Sequence, residues 1–228
     1  MHEQVAQRNA RLEQPVQRCA ALAVVAGEGM RELFESVGAF ALDGGATLNP
    51  STYELLAGIH EAPAEEVVVL PNSPNVVMAA ERAAELSEKD VRVVKSRSMQ
   101  AGLAAAVAMD PGKPCSINAA AMEETLAHVR TGAVTGAARD DAVEATPRFR
   151  VGDAVGFVDE ELIAWGDVAK TLVTVLAELS REAELVTLIE GDGAPLAGDQ
   201  VAGLAPDGVE LEYERGGQPA YWWLIAAE

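Results

Sequence analysis

Four short segments hold most of the residues that could meet a ligand: Gly27-Glu28-Gly29, Gly44 through Ser51, Pro71 through Asn75, and Ser96-Arg97-Ser98. Each follows a short apolar run and leads into a stretch with helical spacing. Each would therefore present free backbone N–H groups at a helix N-terminus, where an anion or a polar tip is favoured. Gly44, Gly45, Thr47, Asn49, Ser51 and Thr52 come from the second segment and its exit, and Asn72 and Asn75 from the third. The hydroxyls and amides are neutral donors and acceptors, and Arg97 is the only cation in the four segments. Such a set could hold a carboxylate or a phosphate. The plainer reading is that the same residue types serve as helix caps and turn formers, and spacing alone leaves both open.

Other chemistries find less support. There is no G-x-x-x-x-G-K-[ST] loop, no complete G-x-G-x-x-G between a strand and a helix, and no G-x-S-x-G elbow. His2, His60 and His128 have no evident nucleophile partner and read as surface or boundary residues. The acidic pairs Asp140-Asp141 and Glu160-Glu161 read as solvated turns, because no third ligand stands at a useful spacing. Cys19 and Cys115 are far apart in sequence, without a C-x-x-C or a neighbouring His pair, and read as two small buried hydrophobes. No catalytic residue and no metal site is assigned, and the residues favour a binding module.

The four segments are positioned by a repeating pattern. Ala20–Ala26, Ala39–Asp43, Glu66–Leu70 and Val91–Lys95 are short, near-continuous apolar runs, as expected of parallel strands covered on both faces. Between them, Met30, Leu33, Phe34 and Val37 follow helical spacing up to Gly38, and Ser51 with Glu54 has capping-box spacing. Ser73-Pro74 reads as an N-cap followed by proline at the first helical position, and Ser98 could cap Met99–Met109. Strand–helix repeated four times predicts an α/β fold with a doubly wound parallel sheet.

Asp110 through Pro114 breaks the pattern. Beyond it, a helix is expected over Ala119–Arg130, then strands over Val134–Arg139, Ala154–Val158 and Glu161–Ala164 as an antiparallel meander. An amphipathic helix follows over Asp167–Glu182, then strands over Leu185–Glu190 and Val209–Glu214 and an apolar final strand, Ala220–Ala227. Alternation in that strand would put Tyr221 and Trp223 on one face and Trp222 on the other. The expected organisation is a tether from a missing upstream domain over 1–18, a parallel α/β domain over 19–112, and a smaller α+β domain with a mixed sheet over 113–228.

Composition fits this reading. The 228 residues are 49% hydrophobic and only 4% aromatic, ample to close a core but with few large rings. Thirty-six acidic residues against 17 basic ones leave a net charge of −19, which disfavours nucleic acid and anionic membrane surfaces. No apolar run reaches the roughly 18 residues of a membrane span, and the polar start Met1-His2-Glu3-Gln4 has no basic n-region, so a cytoplasmic address is expected.

The order and spacing of several motifs resemble the C-terminal domain of the ATP-binding subunit of bacterial fatty acid kinase, a dihydroxyacetone-kinase-related family. The motifs are GGATLNPST at 44–52, VVLPNSPN at 68–75 running into Met78-Ala79-Ala80, and QAGLAA at 100–105. Thr131 through Thr135 with Arg139-Asp140, and Gly217 through Tyr221, fit as well. The match covers about residue 20 to the end and adds Gln100, Arg139, Gln218 and Tyr221 to the candidate ligand- or partner-contacting residues.

The resemblance implies a DegV-like fold. It also implies that ATP and magnesium belong to an aspartate-rich helical domain outside this chain, so that no cofactor is expected here. The chain would then be a non-catalytic domain that docks the fatty-acid-binding subunit for acyl phosphorylation, with a homodimer through the parent protein left open. One departure bears on this. The lipid-binding relatives present serine- and threonine-rich loops to the fatty acid carboxylate, whereas Pro71-Asn72-Ser73-Pro74-Asn75 carries two prolines, which remove backbone donors. Thr47, Ser51 and Thr52 keep their hydroxyls, so a fatty acid or small-carboxylate carrier stands as the alternative, and a self-sufficient phosphotransfer enzyme as a third.

Overall fold

The computed structural model describes residues 17–141, 148–206 and 208–228. Most of the expected N-terminal tether lies outside this range, and Gln17 and Arg18 already belong to the first strand. Strands β1 (Gln17–Val25), β2 (Phe40–Asp43), β3 (Ala64–Leu70) and β4 (Asp90–Val93) form a parallel sheet in the order β2-β1-β3-β4. Helices α1 (Glu28–Ser36), α2 (Thr52–Glu61), α3 (Val77–Leu86) and α4 (Met99–Val107) alternate with them, as the repeating pattern predicts.

The valine-rich runs explain why this sheet is covered on both faces. Along β1, Cys19, Ala21, Ala23 and Val25 enter one core cluster, while Ala20, Leu22 and Val24 enter the opposite one with Leu55 and Ile59 of α2 and Ala80 and Ala83 of α3. In β3, Val67 through Leu70 are all fully buried, and each contributes roughly 1.5–3 kcal/mol through the apolar surface it removes from water.

The second sheet holds β5 (Arg130–Gly136), β6 (Ala154–Val158), β7 (Glu161–Gly166), β8 (Leu185–Glu190), β9 (Glu210–Arg215) and β10 (Trp223–Ala227), in the order β7-β6-β5-β10-β8-β9. It is mixed: β8 and β9 are parallel, and the other pairs are antiparallel. Helix α6 (Val168–Leu179) packs Leu172, Val175, Leu176 and Leu179 on one face of this sheet against Trp223 and Ile225. The other face turns Ile189 and Leu224 toward α1, α4 and α5 (Cys115–His128). These three helices are thus sandwiched between the two sheets. A short helix, α7 (Gly198–Ala202), adds Val201 to the α6 side.

Several sequence expectations are corrected here. Ser73 and Pro74 open a turn, with Val76 N–H bonded to the Ser73 carbonyl, and α3 begins only at Val77. The helix expected at Ala119 starts at Cys115, immediately after Pro114, with the Cys115 N–H donating to Glu66 Oε2 at 2.6 Å. The first meander strand begins at Arg130 rather than Val134. The last strand begins at Trp223, so Tyr221 lies outside it and does not share a face with Trp223. Asp141 is buried, paired with Arg148 and bonded through its backbone N–H to the Phe149 carbonyl at 3.1 Å; it is not a solvated turn residue.

Candidate functional site

The strand order places a reversal between β1 and β3: the chain leaves β1 for β2 on one side, then returns to β3 on the other. The crevice beyond the carboxyl ends of strands at such a point is where open α/β sheets bind ligands. Here it is a cavity of about 1040 Å³, just above the size usual for small-molecule sites.

Three parts of the fold wall it. Ala26, Leu48 and Asn72 come from the carboxyl edge of the parallel sheet; Met99, Gln100 and Ala101 open α4; Leu126 and Val129 close α5. The second sheet supplies Ala133, Phe157 and Leu224, and the approach to β10 supplies Gln218 and Tyr221. Helix α4 runs away from this edge and α5 runs back to it, so a residue as late as Val129 meets one as early as Ala26.

Asn72 ties the crevice together. Its side-chain amide donates to the Val24 carbonyl at 2.8 Å, crossing from β3 to β1. Its Oδ1 accepts from Ser96 Oγ at 2.7 Å, and its own backbone N–H donates to the same hydroxyl at 3.0 Å. The residue is buried and sits at φ 56°, a left-handed conformation that asparagine tolerates better than most side chains. Gly102 allows this arrangement, because a Cβ there would overlap the Asn72 amide oxygen.

Most of the helix N-termini expected to be open are already occupied. At α1, Met30 N–H donates to the Gly216 carbonyl at 2.8 Å, and Gly29 packs so closely on Arg215 that no side chain fits. At α2, Ser51 and Glu54 form the expected capping box; the Ser51 backbone N–H holds the Glu54 carboxyl below its usual pKa. Ser98 caps α4 by accepting from Ala101 N–H. Of these four, α1 and α3 start without a side-chain cap, and at α1 the Gly216 carbonyl takes that place, so α3 alone keeps an N-terminus without such a partner.

The two cations at the cavity are both engaged. Lys95 Nζ lies 2.8 Å from Glu81 Oε1, an ion pair that raises the lysine pKa. Arg97 makes a two-pronged contact with Glu160, both bonds 2.9 Å, joining the edge of the parallel sheet to the β6–β7 turn. The Arg97 guanidinium holds the Glu160 carboxyl below its ordinary value of 4.5. Because the folded pKa is lowered, this pair stabilises above the ordinary glutamate value and is lost as pH falls through the folded one. Glu160→Gln is therefore expected to abolish the part of the acid destabilisation that the pair causes below about pH 4.5, at a cost near neutral pH of under about 1 kcal/mol, since the pair is exposed. Urea titrations of both proteins between pH 3 and 7 check this.

Of the sequence candidates, Thr47, Asn72, Asn75, Arg97, Gln100, Gln218 and Tyr221 converge on the cavity. Gly44, Gly45, Asn49, Ser51, Thr52 and Arg139 do not line it. Gln100 and Gln218 are buried and act as braces: Gln100 Nε2 donates to the Gly132 carbonyl at 3.1 Å, and Gln218 Nε2 to the Ile189 carbonyl at 3.0 Å. Sequence reasoning missed Lys95, Leu126, Val129, Phe157 and Glu160. Leu126 and Val129 fall within the helix expected over Ala119–Arg130, but nothing local told which cavity they face. Among the described residues, no group of three or more His, Cys, Asp or Glu side chains could hold a metal ion, and no helix is long and apolar enough to cross a membrane.

A parallel sheet carrying a ligand-sized crevice, joined to a mixed sheet that closes over it, is the architecture of the DegV proteins. A DegV-family protein from Ruminococcus gnavus, solved with vaccenic acid, superposes with a TM-score of 0.67 at 12% identity, covering 94% of this chain and all of that one. The fatty acid kinase B3 protein of Streptococcus pneumoniae, loaded with linoleic acid, gives 0.61 at 10% identity over 92% of this chain and 99% of that one. These likenesses establish the fold.

The chain belongs to the FakA-like C-terminal family of fatty acid kinase, whose model matches residues 20–228. An uncharacterised protein of Staphylococcus saprophyticus is 33% identical over 217 residues, which is 92% of this chain but 39% of that protein. The chain spans about two fifths of the length of the curated relatives it matches.

Proposed function

We propose that this chain is the non-catalytic C-terminal domain of a fatty acid kinase subunit. In this reading it docks the fatty-acid-binding partner protein, so that the partner's acyl carboxylate is phosphorylated by a module elsewhere in the longer protein. ATP and magnesium would belong to that module, and the assembly would work in the cytoplasm. Family membership supports the kinase assignment.

The observation that carries the docking reading is the state of the crevice. Lys95 and Arg97 are spent on Glu81 and Glu160, and the α1, α2 and α4 N-termini are filled by Gly216, by the Ser51–Glu54 box and by Ser98. A carboxylate entering beside Lys95 or Arg97, or at the α1, α2 or α4 N-terminus, would have to break an ion pair or displace a bound partner, each of which costs desolvated hydrogen bonds; the α3 N-terminus is the one left uncapped. A crevice whose cations and most of whose helix N-termini are already engaged supports a role in contacting proteins over one in holding an anion.

One observation favours the carrier alternative, namely the size of the cavity and its apolar wall of Leu48, Met99, Leu126, Phe157 and Leu224. Solvent extraction of the purified chain followed by mass spectrometry separates the two readings. The docking reading expects no stoichiometric acyl chain, whereas one fatty acid per protein would favour a carrier. Incubation with ATP, magnesium and fatty acid tests the third option: acyl phosphate formed by this chain alone would refute the non-catalytic assignment.

A further inference from the structure

Far from the cavity, at the opposite edge of the parallel sheet, the fold brings the two cysteines together. Cys19 of β1 pairs in register with Glu66 of β3. Paired residues of parallel strands project to the same face, so the Cys19 and Glu66 side chains lie side by side. The Glu66 carboxylate accepts the backbone N–H of Cys115, the first residue of α5, and so pins the start of that helix over the same spot. Both cysteines are free and fully buried in one core cluster. The two thiols are also coupled: the Cys115 side chain lowers the pKa of Cys19 against the upward pull of burial and of the Glu66 carboxylate, and the pKa of Cys115 is raised in turn.

We propose that Cys19 and Cys115 form a dithiol that hydrogen peroxide converts to an internal disulfide, stapling β1 to the start of α5. The thiolate of Cys19 attacks peroxide, giving a sulfenic acid and hydroxide. The Cys115 thiol then displaces water from that sulfur, so that overall two thiols are oxidised and one peroxide is reduced to two waters. Cys19 is the attacking residue because its neighbour stabilises its thiolate, and Cys115 resolves it. Both thiols are fully buried, so the proposal requires an opening of the chain, and the exposed Pro111–Lys113 stretch lies nearest, bonded to the start of β1 by the Arg18 and Cys19 N–H groups on the Pro111 carbonyl at 3.1 and 3.3 Å.

The test treats the reduced chain with hydrogen peroxide and measures its mass under denaturing, non-reducing conditions, followed by peptide mapping. The expected result is a monomer lighter by about 2 Da, with the Cys19 and Cys115 peptides linked and released by dithiothreitol. Because the bond closes a loop of roughly 100 residues, the oxidised chain should melt higher by on the order of 10 °C. Cys115→Ser should lose the link and leave an oxygen adduct at Cys19; if that variant does not fold, the native chain's mass decides. A chain that gains oxygen at separate cysteines, links to a second copy, or keeps both thiols under peroxide would overturn the proposal.

Discussion

Asn72→Ala is expected to lower the unfolding free energy by roughly 2–4 kcal/mol, measured by urea denaturation at neutral pH. The substitution leaves the Val24 carbonyl without its side-chain donor and Ser96 Oγ without its Oδ1 acceptor, both at the buried floor of the crevice. Each buried polar group stranded in this way costs about 1–3 kcal/mol. Alanine at φ 56° adds backbone strain. Gly102→Ala should give a loss of the same order by another route, since its Cβ would push the Asn72 amide off both partners. If Asn72→Ala unfolds at the native midpoint, Asn72 does not hold β1 and β3 together at the reversal.

The largest single loss is expected at Trp223. The ring is the largest fully buried side chain and lies in β10, between β5 and β8, against α6. Trp223→Ala should cost about 3–5 kcal/mol, combining lost burial with the cavity left behind. Trp223→Phe should cost much less than Trp223→Ala, because the indole N–H has no hydrogen-bond partner to lose. Equal losses for the two variants would show that the indole N–H, and not the volume of the ring, matters at this position. The comparison also separates core from surface within the aromatic tail, since Tyr221 is partly exposed at the cavity while Trp223 is enclosed.

The parallel half was legible because its signals are local and redundant. In Val67 through Leu70 a short, valine-rich, unbroken apolar run fits a strand covered on both faces, and the spacing of Ser51 to Glu54 named a capping box that the fold contains. Ser98 likewise caps the helix it was expected to cap. The failures fall where tertiary contacts override local preference. Ser73-Pro74 has N-cap chemistry, yet Asn72 in the left-handed region turns the chain so that a separate turn comes first. The start of α5 is set by Glu66, which lies far away in sequence, so no residue near Ala119 could reveal that the helix begins at Cys115.

The site was half legible for the same reason. Loops at the strand ends could be found from sequence, and seven of the thirteen candidate residues meet at the cavity. Whether a loop residue faces ligand or serves the fold depends on its partner. Arg97 read as the lone cation available to an anion, until Glu160 from the second sheet arrived to neutralise it. Gln100 and Gln218, drawn from family motifs, proved to be braces on carbonyls of the second sheet. The acidic turn at 159–160 likewise became a structural latch: Asp159 accepts from Thr131 N–H and pairs with Arg130, while its neighbour holds Arg97.

Titration calorimetry of this chain against a fatty-acid-loaded binding protein of the kinase probes the docking role most directly. Weak but saturable heat near one-to-one stoichiometry, surviving removal of every nucleotide and metal, is the outcome that recognition by shape predicts. A flat trace with each cognate binding protein tried, loaded or empty, would contradict it.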